Sequence, residues 1–132
     1  MEAISPACSP VFPSDVLIVE DDPIIALDFE DRILGLGVSR VRTAGTVARA
    51  LDMIADRAPD FGVLDVDLVR EKSFAVAERL EVLRIPFAFV TGYGADVMFP
   101  TVFAQKPRLP KPCPTEALEA VLKCHAGESA GR

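Results

Sequence analysis

Short apolar runs alternate with helical patterns along most of this chain. Val16–Val19 and Phe61–Leu64 are such runs, and the stretch from Val47 to Ile54 carries apolar residues at positions i, i+3, i+4 and i+7. Continuous apolar runs are typical of strands that are buried on both faces of a parallel sheet. Strands that alternate with helices are typical of βαβ units. The pattern therefore predicts an α/β fold with a parallel sheet.

The pattern predicts five strands, at about 16–19, 38–44, 61–65, 86–90 and 108–111. Helices are expected at about 23–34, 47–54, 73–83 and 115–125. Residues 95–107 allow a short helix at most, because Gly, Pro and aromatic residues interrupt the helical pattern there. With right-handed crossovers, such units predict a doubly wound, five-stranded sheet.

Local signals mark several ends of these elements. Asp22-Pro23 predicts a helix start, since aspartate is a favourable cap and proline is favoured at the first helical position. Gly127 predicts the end of the last helix. Pro107 and Pro110 predict that the fifth strand lies at an edge of the sheet, where one side makes no ladder hydrogen bonds.

The length of 132 residues suits one domain with a substantial core. Residues 1–14 contain three prolines and three serines, and we expect them to form a disordered leader. The folded domain is expected to span 15–126, and residues 127–132 to form a disordered tail.

Charge and composition narrow the function classes. The net charge of −6 argues against direct binding of nucleic acid, whose phosphate backbone attracts basic surfaces. No apolar stretch approaches the length of about 20 residues that spans a membrane, and the N-terminus lacks the pattern of a secretory signal. The three cysteines have no metal-ligand spacing, so reduced thiols in the cytoplasm are the expectation.

Acidic residues follow two of the predicted strands. Glu20 and Asp21 come directly after the first strand, and Asp65 ends the third. Ligands of open α/β sheets bind outside the carboxyl ends of the strands, and these acids are expected to meet there. Crowded carboxylates favour a neutralising cation, and hard divalent ions such as Mg2+ prefer carboxylate oxygens. The sequence therefore predicts a magnesium site with Asp65 at its floor.

Two further strand ends complete a set of groups that suits phosphoryl transfer to a carboxylate. Asp65 is the candidate nucleophile, Thr91 can donate a hydroxyl hydrogen bond to a phosphoryl oxygen, and Lys111 supplies a positive charge that pairs with Asp65 at rest. Lys106-Pro107 repeats the Lys111-Pro112 pattern. Lys111 is favoured because only the longer interval after Thr91 leaves room for a helix and a strand.

On these motifs the chain, from about Val16 to Cys124, resembles the receiver domain of two-component response regulators. The motifs are Leu17 to Pro23 with Glu20-Asp21-Asp22, Leu64-Asp65 after Pro59-Asp60, Thr91 after a strand, and Lys111-Pro112. The stretches Phe89 to Gly94 and Asp65 to Leu68 are similar to stand-alone alphaproteobacterial receivers with a Phe-Ala-Thr-Gly-Tyr signature. The resemblance implies a flavodoxin-like (CheY-like) fold with strand order 2-1-3-4-5.

The resemblance also implies roles for individual residues. Glu20 and Asp21 are the implied metal-binding pair, Asp65 the phosphoacceptor and third metal ligand, Thr91 the switch hydroxyl and Lys111 the lysine that pairs with the phosphoryl group. The backbone carbonyl of Asp67 is implied to complete the metal site. A cis peptide bond at Lys111-Pro112 is implied as well.

By the same resemblance, the chain is expected to be a single-domain response regulator. Asp65 would take its phosphoryl group from a sensor histidine kinase or a histidine phosphotransfer protein. Output would be contact with a downstream protein target, or passage of the phosphoryl group along a phosphorelay. The chain would be a phosphoacceptor that phosphorylates and dephosphorylates itself, not an enzyme with a separate substrate.

Some features depart from the family or allow other interpretations. Arg108 stands where many receivers carry an aromatic that moves with the switch hydroxyl, which leaves Tyr93 as the local aromatic. The side chain of Asp67 either tunes phosphoryl hydrolysis or faces solvent. A pseudo-receiver that binds partners without phosphorylation is one alternative. A haloacid-dehalogenase-type phosphatase is a weaker one, because its Asp-x-Asp motif usually lies on the first strand.

Overall fold

A computed structural model describes residues 12–68, 71–92 and 100–130, with side chains as far as residue 123. In these residues, five parallel strands form one sheet: β1 (Asp15–Val19), β2 (Arg40–Ala44), β3 (Phe61–Asp65), β6 (Phe87–Gly92) and β7 (Arg108–Lys111). The strands β4 (Asp67–Leu68) and β5 (Glu71–Lys72) form a separate, two-stranded sheet. Across the five-stranded sheet the order is β2-β1-β3-β6-β7. This order confirms the predicted doubly wound sheet, and β7 lies at an edge as its prolines predicted.

Helices cover both faces of the sheet. In the described residues they are α1 (Pro23–Gly35), α2 (Val47–Asp56), α3 (Phe74–Val82) and α4 (Thr115–Ala130), together with a short 3-10 helix at Thr101–Phe103. Asp22 caps α1 as predicted, because its side chain accepts hydrogen bonds from the N–H groups of Ile24 and Ile25. None of the described helices is both long enough and apolar enough to cross a membrane.

The alternation of side chains along β1 divides the core into two layers. Leu17 and Val19 pack on the side of α2 and α3, whereas Val16 and Ile18 pack on the side of α1 and α4. Successive residues of a strand point to opposite faces, so a fully apolar strand supplies both layers. The first layer holds an aromatic cluster of Phe74, Phe87, Phe89 and Phe103, whose ring centroids lie 5.5 to 6.0 Å apart.

Gly62 on β3 allows a close approach between the sheet and α3. A Cβ at this position would lie 2.7 Å from Leu80 Cδ1. Leu80 is fully buried, so its side chain has little room to move away. The glycine therefore sets how closely α3 packs on the central strand.

An ion-pair network around Asp15 joins β1, β2 and α2 at the end of the sheet opposite Glu20, Asp21 and Asp65. The buried carboxylate of Asp15 contacts Arg42 through both oxygens at 3.2 and 3.1 Å, and Arg57 at 3.4 Å. Arg42 also donates to the Met53 carbonyl at 3.2 Å. This network ties β1 and β2 to α2.

The end of the last helix differs from the prediction. The last helix continues to Ala130, so the predicted stop at Gly127 is wrong; a glycine inside a helix costs about 1 kcal/mol and does not end one by itself. Phe12, which precedes β1, packs on the core. Leu83 is the C-terminal cap of α3 and is exposed. Residues 1–11 lie outside the described part of the chain.

The segment after β3 contains structure that the sequence analysis missed. Asp67–Leu68 (β4) and Glu71–Lys72 (β5) pair as a short antiparallel hairpin. Ser73 N–H donates to the Val66 carbonyl and closes the base of this hairpin. Strands of two residues carry no periodicity that a pattern search can detect.

Candidate functional site

The register of the sheet brings the predicted site residues to one edge. Val19 of β1 lies beside Leu64 of β3, so Glu20 and Asp65 follow on neighbouring strands. Asp65 in turn lies beside Val90, which places Thr91 one residue further along β6. Gly92 lies beside Lys111 at the end of β7. Parallel strands end together, so the sheet alone assembles these groups.

Lys111 contacts two buried carboxylates at this edge. Its Nζ lies 3.2 Å from Asp65 Oδ2, as the sequence predicted, and 3.0 Å from Glu20 Oε1, which the sequence did not predict. Glu20 and Asp65 are only 4% and 5% exposed. The other oxygen of Glu20 accepts a hydrogen bond from Asp22 N–H at 3.2 Å. Lys111 therefore offsets part of the charge that the two carboxylates bring into the protein.

The pKa values of Glu20, Asp65 and Lys111 are all raised. Desolvation raises the pKa of Glu20 to about 7; its contact with Lys111 opposes the rise, and the charge of Asp65 adds to it. Desolvation likewise raises the pKa of Asp65, against the opposing charge of Lys111. Burial disfavours the charged form of Lys111, yet its contacts with Glu20 and Asp65 outweigh that effect and raise its pKa. The protein thus holds more negative charge here than one lysine neutralises.

The donor set fits a divalent cation. Glu20, Asp21 and Asp65 each offer a carboxylate oxygen, and these oxygens lie within 4.8 Å of one another. Glu20 Oε1 is fully buried and, although Lys111 Nζ is near, it has no well-oriented hydrogen bond. Hard oxygen ligands and an excess of negative charge are what Mg2+ prefers. These three side chains are therefore the ones that would hold the ion.

Asp67 lies at the start of the hairpin beside this edge. Its side chain is about half exposed and pairs with Lys72, its cross-strand neighbour. Glu71 on the same hairpin accepts a hydrogen bond from Val47 N–H at the start of α2, at 3.0 Å. The Asp67 side chain thus faces outward and has a protein partner; the predicted ligand role of its backbone carbonyl stays a prediction.

Thr91 lies at the predicted place and is half-buried at the end of β6. The predicted cis peptide bond at Lys111-Pro112 is present. Arg108 is exposed, whereas Phe103 is buried and packs on Phe87 and Phe89 of β6. Tyr93 lies outside the described residues. Lys106, the alternative to Lys111, pairs with Glu81 of α3 at 2.8 Å and does not belong to the cluster.

Comparison with solved structures places this geometry in a family. SdrG from Sphingomonas melonis Fr1 is 38% identical, with a TM-score of 0.73 over 92% of this chain and 97% of SdrG. The receiver domain of the PhyR response regulator from Erythrobacter litoralis is 25% identical, with a TM-score of 0.67 over 82% of this chain and 85% of that domain. The chain belongs to the response regulator receiver domains. This confirms the resemblance that the strand-end motifs indicated.

A curated relative agrees with this assignment. The phyllosphere-induced regulator PhyR of Methylorubrum extorquens is 31% identical over 83 residues, which is 61% of this receiver. The match spans only 31% of the length of that relative. A comparison with protein-family models finds none that matches the chain. The family assignment therefore rests on the solved structures and on the site residues that the fold brings together.

Proposed function

We propose that this receiver accepts a phosphoryl group on Asp65 from a histidine kinase or a histidine phosphotransfer protein. The main support is that the buried carboxylate of Asp65 lies beside both a lysine and a pair of carboxylates that can hold a divalent ion. Lys111 Nζ lies 3.2 Å from Asp65 Oδ2, and oxygens of Glu20 and Asp21 lie within 4.8 Å of an oxygen of Asp65. No general base is required, because an ionised carboxylate is already a nucleophile.

In the proposed reaction, a carboxylate oxygen of Asp65 attacks the phosphorus of a phosphohistidine. The new P–O bond forms as the P–N bond breaks, and the leaving imidazole takes a proton from solvent. Mg2+ held by Glu20, Asp21 and Asp65 would supply positive charge that offsets the charge on the transferred group. Lys111 then pairs with a phosphoryl oxygen instead of Asp65, and Thr91 donates its hydroxyl hydrogen bond to another.

The proposed output is a change in protein contacts or onward transfer of the phosphoryl group. Moving a two-state switch from mostly off to mostly on takes about 5.5 kcal/mol of differential stabilisation. Charge-assisted hydrogen bonds from Lys111 and Thr91 to a phosphoryl group are among the strongest that proteins form. We further propose a cytoplasmic location and a phosphoacceptor that acts on no separate substrate.

Intact mass after incubation with acetyl phosphate, with and without Mg2+, tests this function. The expected result is a gain of one phosphoryl group that hydroxylamine removes, that requires Mg2+, and that Asp65→Asn abolishes while the fold is kept. Asp67→Asn is the matched control, because its carboxylate lies beside the site but faces outward; it should still be phosphorylated. Phosphate release over many turnovers with a phosphomonoester as the only donor would instead favour the phosphatase, and no mass gain with acetyl phosphate would favour the pseudo-receiver.

A further inference from the structure

Arg32 of α1 contacts the segment that follows Lys111. Its Nη1 donates to the Cys113 carbonyl at 2.7 Å and to Thr115 Oγ1 at 3.2 Å. Thr115 is the first residue of α4. One guanidinium thus joins the last turn of α1 to the connection between β7 and α4, across more than half of the chain.

Arg32 is itself held in place on α1. Its Nε and Nη2 donate to Asp28 Oδ2, one helical turn earlier, at 3.1 and 2.9 Å. Its guanidinium carbon lies 5.3 Å from the ring centroid of Phe29, a buried core residue. The Arg32 side chain is only 23% exposed. A planar guanidinium with several donors in fixed directions suits this role, because it can bind Asp28 and the loop at once.

The Cys113 carbonyl that Arg32 binds lies only two residues after Lys111, in a segment with restricted backbone torsions. Pro112, Cys113 and Pro114 form the connection, and each proline ring fixes its own φ. With those torsions restricted, the position of the Cys113 carbonyl limits where the backbone of Lys111 lies. The Lys111 side chain has to reach Glu20 and Asp65 from that backbone.

We propose that Arg32 is a positioning residue for Lys111, through the Cys113 carbonyl. Arg32 touches neither Asp65 nor the acidic cluster in the described contacts, so it acts on the reaction only through the loop. Loss of the anchor lets Lys111 move relative to Asp65, and displacements of about 1 Å at a reacting centre reduce rates strongly. This inference rests on the proposed phosphoryl acceptance by Asp65.

The test compares Arg32→Met in two backgrounds, with acetyl phosphate and Mg2+ as the probe. In the otherwise native chain we expect the rate of Asp65 phosphorylation to fall roughly tenfold. In a Lys111→Met background the same change should alter the rate by less than about twofold, because the residue that Arg32 positions is already gone. A purely structural role would reduce both rates equally, and that result would overturn the proposal.

Lys106→Met is the matched control. Lys106 also pairs with an acid, Glu81, and also lies over a core ring, Phe87, at 5.2 Å. In the described contacts it touches neither Lys111 nor its loop. It should therefore leave the phosphorylation rate unchanged.

If Arg32→Met does not fold, Arg32→Lys keeps the charge, but its single ammonium cannot hold Asp28 and the loop together. A roughly threefold slower rate is then expected, and a native rate would overturn the proposal.

The outcomes separate this inference from the function on which it rests. Failure of the native chain to gain a phosphoryl group overturns the proposed function and the role of Arg32 with it. A native chain that is phosphorylated at the same rate as folded Arg32→Met overturns only the role of Arg32.

Discussion

Glu20→Gln tests the electrostatics of the site without any phosphoryl donor. Glu20 is 4% exposed, and burial raises its pKa from 4.5 to about 7. A raised carboxyl pKa means that folding favours the protonated form. The stability linked to this group is fully present below about pH 4.5 and is lost as the pH rises to about 7. Glutamine resembles the protonated carboxyl and stays neutral, so the variant escapes this loss.

The size of the effect follows from the same shift. One pKa unit corresponds to about 1.36 kcal/mol, so the rise from 4.5 to about 7 corresponds to about 3 kcal/mol. Near pH 4 the native chain and Glu20→Gln should therefore have similar free energies of unfolding. Above about pH 7 the variant should be more stable by about 3 kcal/mol when no divalent ion is present.

Urea unfolding in a chelating buffer at several pH values measures this difference. Glu78→Gln, which removes an exposed carboxylate on α3, is the control and should change stability by less than about 0.5 kcal/mol. Added Mg2+ should stabilise the native chain more than Glu20→Gln, since a ligand of the folded state stabilises it by mass action. A difference between native chain and variant that does not change with pH would refute the reasoning.

Two further substitutions test the acidic cluster and the packing of the sheet. Asp21→Ala should weaken Mg2+ binding, measured by titration calorimetry, by at least about tenfold, whereas the exposed Asp31→Ala should not; equal affinities would remove Asp21 from the metal site. Gly62→Ala should lower the free energy of unfolding by about 1–3 kcal/mol, because its Cβ would lie 2.7 Å from Leu80. Gly35→Ala is the packing control, because a Cβ there meets nothing within 4 Å. A native melting temperature for Gly62→Ala would contradict the close packing of α3 on β3.

The strand-end motifs predicted which residues lie together, because a parallel sheet converts order along the chain into position. The position of Asp65 can be predicted from its own apolar strand alone, and the positions of Thr91 and Lys111 from the ends of the later strands β6 and β7. The same reasoning found the edge position of β7 from Pro110. It failed where no periodicity exists, as in the β4–β5 hairpin, where Asp67 and Lys72 pair. It also failed at Gly127, whose weak helix preference is outweighed by the helical turns that precede it.

The sequence by itself determined which groups meet at the carboxyl edge, because buried strands and their end residues are local patterns. Only the tertiary structure decided how those groups pair. Lys111 also pairs with Glu20, and Arg32 donates to the Cys113 carbonyl, across separations at which sequence carries no spacing signal. Such pairs depend on strand register and on the packing of α1 against the β7–α4 connection. They are fixed by distances and angles of the folded chain, which no single segment contains.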